Sequence, residues 1–402
     1  MSLSATSTEM DAWLIAFGCC VYCLLQRSRQ RRDTRADAAT GALRAPAYLQ
    51  SMRHTSTCLL CAAIISLAGC GDDNPVRHEA KPFADAPAKI AGVSFDVSNQ
   101  LVEVALDELD ATGVRWIAVT PFGWQSRFDE PEIRLRTTRV RWGETDAGIT
   151  ETMTRARARG LHTLLKPHIW LTQDVPGQWR GTIGFDNDAD WEAWESDYRS
   201  FILHYALLAE QQQADMFSIG VELGRVVRER PAFWSTLIGE IRLVYSGLLT
   251  YGANWDDAVQ VRFWDQLDFI GIHAYFPLTH RSDASVDELI KGWRPHVRLM
   301  DNLRATWDRP ILFTEIGYRS IAGGAVEPWN FDVQATVDVQ EQADAYEAMF
   351  RVFWERDWFA GLFIWEWDAD VRLGDDLSDD DDYLPQTKPA QQVMSRWFGA
   401  SG

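Results

Sequence analysis

Two segments decide the fold class: MFSIGVELG at residues 216–224 and PILFTEIGY at residues 310–318. Each is a run of apolar and β-branched residues, which predicts a buried strand, and each carries a glutamate near its carboxyl end. A carboxylate in that position, Glu222 or Glu315, must find water, a partner or a substrate. Two such strand ends predict an acid/base pair.

Strand-like runs alternate with segments of helical periodicity from residue 90 onward. The predicted strands are IAGVSFDV (90–97), RWIAVTPF (115–122), HTLLKPHIW (162–170), MFSIGVELG (216–224), GLLTYGANW (247–255), LDFIGIHAYF (267–276), PILFTEIGY (310–318) and GLFIWEWD (361–368). About eight strand-plus-helix units in roughly 310 residues predict an α/β protein with a (β/α)8 TIM barrel. The sequence contains no glycine-rich phosphate loop that would favour a Rossmann fold.

The active site of such a barrel lies where the strands end and the loops toward the helices begin. The candidate substrate-binding residues at those ends are Lys166, His168 and Trp170 on the third strand, Asn254 and Trp255 on the fifth, His273 and Tyr275 on the sixth, and Trp365 and Trp367 on the eighth. Residues spaced by two along a strand share one face. Each candidate also has a structural interpretation, because barrel histidines and strand tryptophans more often pack in the core. Their common location at one rim favours a ligand site.

Composition narrows the class of ligand. The net charge of −19 argues against nucleic-acid binding, and 19 tryptophans are consistent with flat, partly apolar ligands such as sugar rings. The acidic run DDLSDDDD at residues 375–382 matches no calcium-binding loop and reads as a solvated loop. The sequence therefore predicts neither a metal site nor a cofactor.

The N-terminal region is predicted to be a targeting signal and not part of the folded domain. Residues 52–70, MRHTSTCLLCAAIISLAGC, resemble a bacterial lipoprotein signal peptide whose LAGC ending implies cleavage before Cys70 and acylation of that residue. The alternative is a short apolar helix that ends in cysteine by chance. We expect residues 1–51 to be a non-native extension before a true start at Met52, residues 71–88 to be a flexible tether, and residues 89–402 to be the catalytic domain. These features predict a monomer anchored by lipid in the bacterial cell envelope, at the outer membrane.

Hydrolysis of a glycosidic bond needs one protonated carboxyl group and one ionised carboxylate, roles that the two glutamates can fill. The segments LLKPHIWL, SIGVELG, DFIGIHAYFPL, LFTEIGYRS and FIWEWD resemble glycoside hydrolase family 113, within the retaining clan A, over approximately residues 90–370. That resemblance implies an endo-β-1,4-mannanase acting on a polysaccharide or oligosaccharide, with Glu222 as acid/base and Glu315 as nucleophile. It also implies that Tyr275 hydrogen-bonds the nucleophile.

The same resemblance implies further sugar contacts and one departure. His168 and Asn254 would contact sugar hydroxyls, and Trp365 or Trp367 would form the floor beneath the distorted ring. Trp124, Trp170 and Trp179 would serve outer subsites. Many clan members carry asparagine directly before the acid/base, where this chain has Val221.

Three alternatives remain open from the sequence. The same chemistry could act on β-glucan or xylan oligosaccharides, or the chain could be an inactive carbohydrate-binding lipoprotein with a barrel cleft. Both glutamates could instead be structural, each in a bidentate ion pair with Arg127, Arg180 or Arg319.

Overall fold

The computed structural model describes residues 89–98, 102–135, 140–372 and 374–399. The predicted extension, signal peptide and tether, with Cys70, lie outside the described residues. Within the described residues, no helix is long and apolar enough to cross a membrane.

The strands of the described residues build a closed barrel and a small side sheet. In chain order they are β1 (Ile90–Asp96), β2 (Trp116–Val119), β3 (Phe122–Gln125), β4 (Ile133–Leu135), β5 (His162–Leu165), β6 (His168–Leu171), β7 (Met216–Val221), β8 (Leu248–Asn254), β9 (Ile270–His273), β10 (Ile311–Ile316) and β11 (Phe359–Asp368). Eight parallel strands close the barrel in the order β1-β11-β10-β9-β8-β7-β5-β2. The predicted (β/α)8 class is therefore confirmed.

Helices follow the barrel strands, as the fold requires. They are α1 (Val102–Asp110), α2 (Asp146–Ala158), α3 (Asp188–Gln211), α4 (Gly224–Glu229), α5 (Pro231–Val244), α6 (Val286–Trp307), α7 (Val339–Phe353) and α8 (Pro389–Gly399). Between β8 and β9 the chain forms only two short 3-10 turns, Ala258–Gln260 and Trp264–Gln266. Gly113 and Gly160, predicted to end helices, follow α1 and α2 with φ values of 81° and 75°, the left-handed conformation that glycine adopts without a steric penalty.

Two apolar clusters make up the core of the described residues. The larger one joins the outward-facing strand residues to the helices. The smaller one takes its members almost entirely from the strands and fills the barrel interior, with Trp116, Met216, Leu312 and Phe363 among them. Buried polar side chains, including Lys166 and His273, lie nearer the carboxyl ends of the strands. The barrel thus has an apolar lower layer beneath a polar upper layer.

Two predicted strands are wrong in extent, because each is interrupted by a proline. The predicted strand 115–122 divides into β2 and β3 around Pro121, and the predicted strand 162–170 divides into β5 and β6 around Pro167. Proline lacks the N–H group that continues a ladder, so it rarely sits inside a central strand. After each break the chain leaves the barrel, and β3 pairs with β6 in a separate sheet of order β4-β3-β6.

Candidate active site

The two glutamates lie at the carboxyl ends of opposite parts of the barrel. Glu222 directly follows β7, the fourth strand of the barrel in chain order, and Glu315 is in β10, the seventh. Their side chains are 12% and 6% exposed, so both carboxyl groups are largely removed from water. Residues 93 positions apart in sequence therefore face one buried space.

The backbone at Glu222 has an uncommon conformation. Its φ is 52°, in the left-handed region that residues with a side chain rarely adopt. The Glu222 N–H donates a 2.7 Å hydrogen bond to the carbonyl of Gly252, and the next N–H, of Leu223, donates to the Tyr251 hydroxyl at 2.7 Å. Such strain persists where the surroundings fix it, and it is concentrated at functional sites. Val221, the departure from the clan pattern, is buried and offers no polar group.

Four polar side chains surround the carboxylate of Glu315. Lys166 forms an ion pair with Oε1, and the Tyr275 hydroxyl donates a 3.1 Å hydrogen bond to Oε2. The Nε2 atoms of His168 and His273 lie 3.5 Å and 3.4 Å from Oε1. Burial first, and then the charge of Glu315, raise the pKa of Tyr275 well above its usual value, so the phenol keeps the proton that it donates.

Glu222 is held by one of the same groups, His273, and by one arginine. Nδ1 of His273 lies 2.9 Å from Oε1, and Nη1 of Arg180 lies 3.4 Å from Oε2. Burial raises the pKa of Glu222, but the charge and hydrogen bond of His273 and the charge of Arg180 outweigh it, and the pKa falls to about 2. Cationic groups from distant segments therefore converge on this carboxylate and favour its ionised form in the unliganded site.

The hydrogen bonds also fix the state of one imidazole. Burial first, and then the charges of Lys166 and Arg180, lower the pKa of His168 well below its ordinary value, so the ring is neutral. Arg180 approaches Nδ1 of His168 at 3.0 Å and can only donate. Nδ1 is therefore the acceptor, and Nε2 carries the proton toward Glu315.

The structure corrects the role predicted for Lys166 and His273. Both side chains are 0% exposed, and their polar atoms contact the glutamates. A sugar cannot reach a side chain without exposed surface, so these residues act on the carboxylates and not directly on a substrate.

Trp365 and Trp367, two positions apart, have different surroundings. The Trp365 ring is half-buried, stacks near His168 at a centroid distance of 6.5 Å and has the Lys166 ammonium 5.4 Å from its centre. Trp367 is 1% exposed and belongs to the core cluster between strands and helices. The predicted sugar contact of Trp367 is therefore wrong, because its side chain packs outside the barrel interior, and Trp365 is the indole available at the site.

Exposed aromatic side chains occur in two groups on different segments of the chain. On the side sheet, Trp170 is 46% exposed and packs against Trp124 at a centroid distance of 6.5 Å, next to Phe122. Directly after β8, Trp255 stacks on Trp329 at 5.1 Å, and Trp329 is itself exposed. These exposed rings could contact further sugar units of a chain.

Asn254 lies near the rim with its amide already engaged. It is largely buried, and Nδ2 donates a 2.6 Å hydrogen bond to Asp256. Its carbonyl oxygen is the group left to meet a sugar hydroxyl.

The structure does not fit the structural alternative for the two glutamates. Arg127 pairs with Asp129, and Arg319 pairs with Asp381 and with backbone carbonyls. Arg180 reaches Glu222, but through one nitrogen and without bidentate geometry. The two carboxylates share His273 between them instead of having separate arginine partners.

Two residues near the site were not predicted as site residues from the sequence. Arg180 appeared only as a possible structural cation, and Trp329 did not appear at all. Both lie in long loops, at residues 172–187 and 317–338. In such loops no strand or helix periodicity predicts the direction of a side chain. The sole sequence signal was a tryptophan or arginine within such a loop.

The described residues offer no evident metal centre. Among them, no group of three or more histidine, cysteine, aspartate or glutamate side chains is arranged to hold an ion. In the acidic run, Asp381 pairs with Arg319 at 2.8 Å and Asp380 pairs with Lys388 at 2.5 Å.

Comparisons with known proteins place this site in a family. A β-mannanase of family 113 from Alicyclobacillus acidocaldarius is 29% identical with a TM-score of 0.70, over 78% of this chain and 98% of that one. A family 113 β-1,4-mannanase in a complex is 27% identical with a TM-score of 0.69, over 78% and 99%. A family 5 mannosidase from Rhizomucor miehei, 10% identical with a TM-score of 0.58 over 78% and 94%, shares the fold.

No curated protein sequence matches the chain significantly. The family model described as Glycoside Hydrolase Family 113 matches residues 92–388, which is most of the chain. The chain therefore belongs to glycoside hydrolase family 113, and it is a glycoside hydrolase.

Proposed function

We propose that this protein is a retaining hydrolase that cleaves β-1,4-mannan or mannooligosaccharides by double displacement, with Glu315 as nucleophile and Glu222 as acid/base. The observation that carries the proposal is the shared imidazole: His273 lies 2.9 Å from Glu222 through one ring nitrogen and 3.4 Å from Glu315 through the other. Solved relatives of the same family, described as β-mannanases, support the choice of sugar.

Glu315 is arranged as the carboxylate that attacks. The Lys166 ammonium pairs with one of its oxygens, and the Tyr275 hydroxyl donates a hydrogen bond to the other. In the first step one Glu315 oxygen bonds to the anomeric carbon, the bond to the leaving oxygen breaks, and a covalent glycosyl ester forms. In that ester Glu315 has no negative charge, so Lys166 loses its ion pair and keeps its 3.4 Å hydrogen bond to the carbonyl of Thr314.

Glu222 serves both halves of the reaction. It gives a proton to the leaving oxygen in the first half and, once ionised, takes a proton from the water that hydrolyses the ester. The lowered pKa of Glu222 in the unliganded protein suits the second half, in which a carboxylate is needed. The first half requires Glu222 to gain a proton when substrate binds.

The aromatic side chains account for binding of a polymer. Trp365 lies beside the buried carboxylates, where its face can pack on the C–H groups of the reacting sugar. The exposed rings of Trp170 and Trp329, on separate segments, offer surfaces for further sugar units, which favours attack within a chain over attack at its end. Since Val221 is apolar, recognition of the 2-hydroxyl falls to other groups.

The test of the proposed function uses three variants. Glu315→Ala should abolish hydrolysis of β-mannan while binding of mannooligosaccharides persists, and Glu222→Ala should lose most activity. Glu229→Ala, in which the removed glutamate pairs with Arg225 on α4, should keep full activity. Undiminished hydrolysis by Glu315→Ala would contradict the proposal. A product profile on mannan and cellulose oligosaccharides decides between β-mannan and β-glucan.

The cell-envelope anchor is a further part of the proposed function and rests on the sequence LAGC at residues 67–70. Cys70 would carry the lipid, and the catalytic domain would act at the bacterial envelope. Labelling of the expressed protein with radioactive palmitate should be lost in Cys70→Ser. Equal labelling of both proteins would exclude this anchor, and intact mass of the native protein would locate its first residue.

A further inference from the structure

Arg180 occupies a central place in the site although it comes from a loop. It begins the 3-10 turn Arg180–Thr182 within the connection between β6 and α3. On one side the neighbouring Trp179 ring lies against Gly181, so close that a Cβ atom there would be 2.4 Å from it. On the other side the guanidinium reaches Oε2 of Glu222 at 3.4 Å and Nδ1 of His168 at 3.0 Å. The Arg180 side chain is 21% exposed.

The contact between Arg180 and Glu222 opposes the proposed role of Glu222 as a proton donor. A group that must donate a proton lies beside a permanently charged cation, which favours loss of that proton. The cations that act on Glu222 are His273 from β9, Arg180 from the loop and Lys166 after β5. The other titratable groups that face it are Tyr251 from β8, Asp257 after β8 and Tyr275 after β9, and Glu315 from β10 contacts the other nitrogen of His273. Lys166 and His273 are fully buried between the strands, and Lys166 is already paired with Glu315. Arg180 is the cation of this group that combines a loop position with solvent exposure.

We propose that Arg180 is a specificity-determining residue for the leaving-group sugar: its guanidinium transfers from Glu222 to the hydroxyl oxygens of that sugar when substrate binds. This inference rests on the proposed function. As Arg180 leaves, Glu222 takes up one proton from solvent and becomes the neutral acid. That proton then passes to the glycosidic oxygen while the bond from this oxygen to the anomeric carbon breaks and the bond to Glu315 forms.

The chemistry of the guanidinium suits this exchange. It has five N–H donors in one plane, and its described side-chain contacts both go through Nη1. The other donors can meet adjacent hydroxyl groups of a sugar, which offer acceptors in a similar spacing. A leaving alcohol that must be protonated but has no further hydroxyls gives Arg180 nothing to bind, so Glu222 would stay ionised and cleavage would be slow. Among leaving groups that need a proton, Arg180 thereby favours a sugar.

The experiment compares two pH profiles of the same enzyme on β-1,4-mannopentaose. The alkaline limb of kcat/KM reports the pair Glu222 and Glu315 in the free enzyme, and the alkaline limb of the single-turnover rate at saturating substrate reports the same pair in the complex. In the wild type, the single-turnover limb should lie at higher pH than the kcat/KM limb. In Arg180→Gln, the kcat/KM limb should move up by at most about 3 pH units, the upper effect of removing one adjacent charge, and the two limbs should coincide. KM should rise in this variant.

A matched variant separates charge from shape. Arg180→Lys keeps the positive charge but loses the planar fork, so the kcat/KM limb should stay near that of the wild type while KM rises. Far-ultraviolet circular dichroism confirms that each variant is folded. Coincident limbs in the wild type, or an unmoved kcat/KM limb in Arg180→Gln, would overturn the inference. If Glu315→Ala remains fully active, the proposed function itself fails, whereas an inactive Glu315→Ala with coincident wild-type limbs overturns the role of Arg180 alone.

Discussion

Lys166 and Glu315 form an ion pair inside the barrel, where their side chains are 0% and 6% exposed. They lie 149 residues apart in sequence, at the carboxyl ends of the third and seventh barrel strands. Burial lowers the pKa of Lys166, and the charge and hydrogen bond of Glu315 oppose that effect. Each charge therefore compensates the desolvation of the other, and neither would be stable in the interior alone.

Removal of the cation should reveal this dependence. Lys166→Met leaves the Glu315 carboxylate buried without its counter-ion, and we expect the free energy of unfolding to fall by about 3–5 kcal/mol, with loss of hydrolysis. Urea denaturation measures the first effect. The double variant Lys166→Met, Glu315→Gln should recover most of the stability because no charge remains. Equal stability of Lys166→Met and wild type would show that the pair does not form.

Tyr275 should act on the reaction rather than on the fold. Tyr275→Phe removes the 3.1 Å hydrogen bond to Glu315, and a hydrogen bond to a charged group is worth about 1.5–3 kcal/mol, so kcat/KM should fall by roughly 10- to 100-fold. Tyr245→Phe is the matched control, because that hydroxyl donates to the carbonyl of Ala214 instead. Equal kcat/KM in Tyr275→Phe and Tyr245→Phe would argue against a role for the phenol.

The two tryptophans of β11 should respond differently to the same change. Trp365→Ala should weaken binding of mannooligosaccharides with little loss of stability, since the ring lies half-buried at the site. Trp367→Ala removes a 1% exposed side chain from the core and should cost about 3–5 kcal/mol of unfolding free energy. Calorimetric titration and urea denaturation of both variants check the contrast. The reverse pattern would mean that Trp367 is the indole that meets the sugar.

Glu366 should make stability depend on pH. Burial first, and then the charges of Asp96 and Asp382, raise its pKa from 4.5 to about 8. A group with a raised pKa in the folded state binds its proton more tightly there, so its contribution to stability is complete below pH 4.5 and is lost as the pH rises through 8. Glu366→Gln abolishes this loss.

The stability gained by Glu366→Gln over wild type should therefore grow between pH 5 and pH 8, by at most about 1.4 kcal/mol per pH unit. Urea denaturation of both proteins at several pH values gives the difference directly. Parallel pH dependence of the two proteins would show that Glu366 titrates normally.

The sequence predicted those parts of the site that follow strand periodicity. Glu222 and Glu315 were found because each interrupts an apolar run at a strand end, and strand ends in this fold meet at one rim. Pro121 and Pro167 also indicate strand breaks, because proline is rare inside a central strand. The break at Pro167 explains why His168 lies on β6 and not on a barrel strand.

Other features depend on segments that only the fold brings together. The pKa of Glu222 reflects His273, Arg180 and Lys166, which lie on three different parts of the chain. The orientation of Trp365 toward the site and of Trp367 toward the core departs from simple alternation near a strand end. Neither property can be read from local sequence, because each is set by neighbours distant along the chain.

The most direct test of the account is covalent trapping of the nucleophile. A 2-deoxy-2-fluoro-mannosyl fluoride forms the glycosyl ester quickly and releases it slowly, so the enzyme should accumulate one sugar per chain. Peptide mass mapping of the trapped protein is predicted to place that sugar on Glu315. An unlabelled protein under conditions where mannan is hydrolysed, or a label on any other carboxylate, would contradict the assignment of Glu315 as the attacking group.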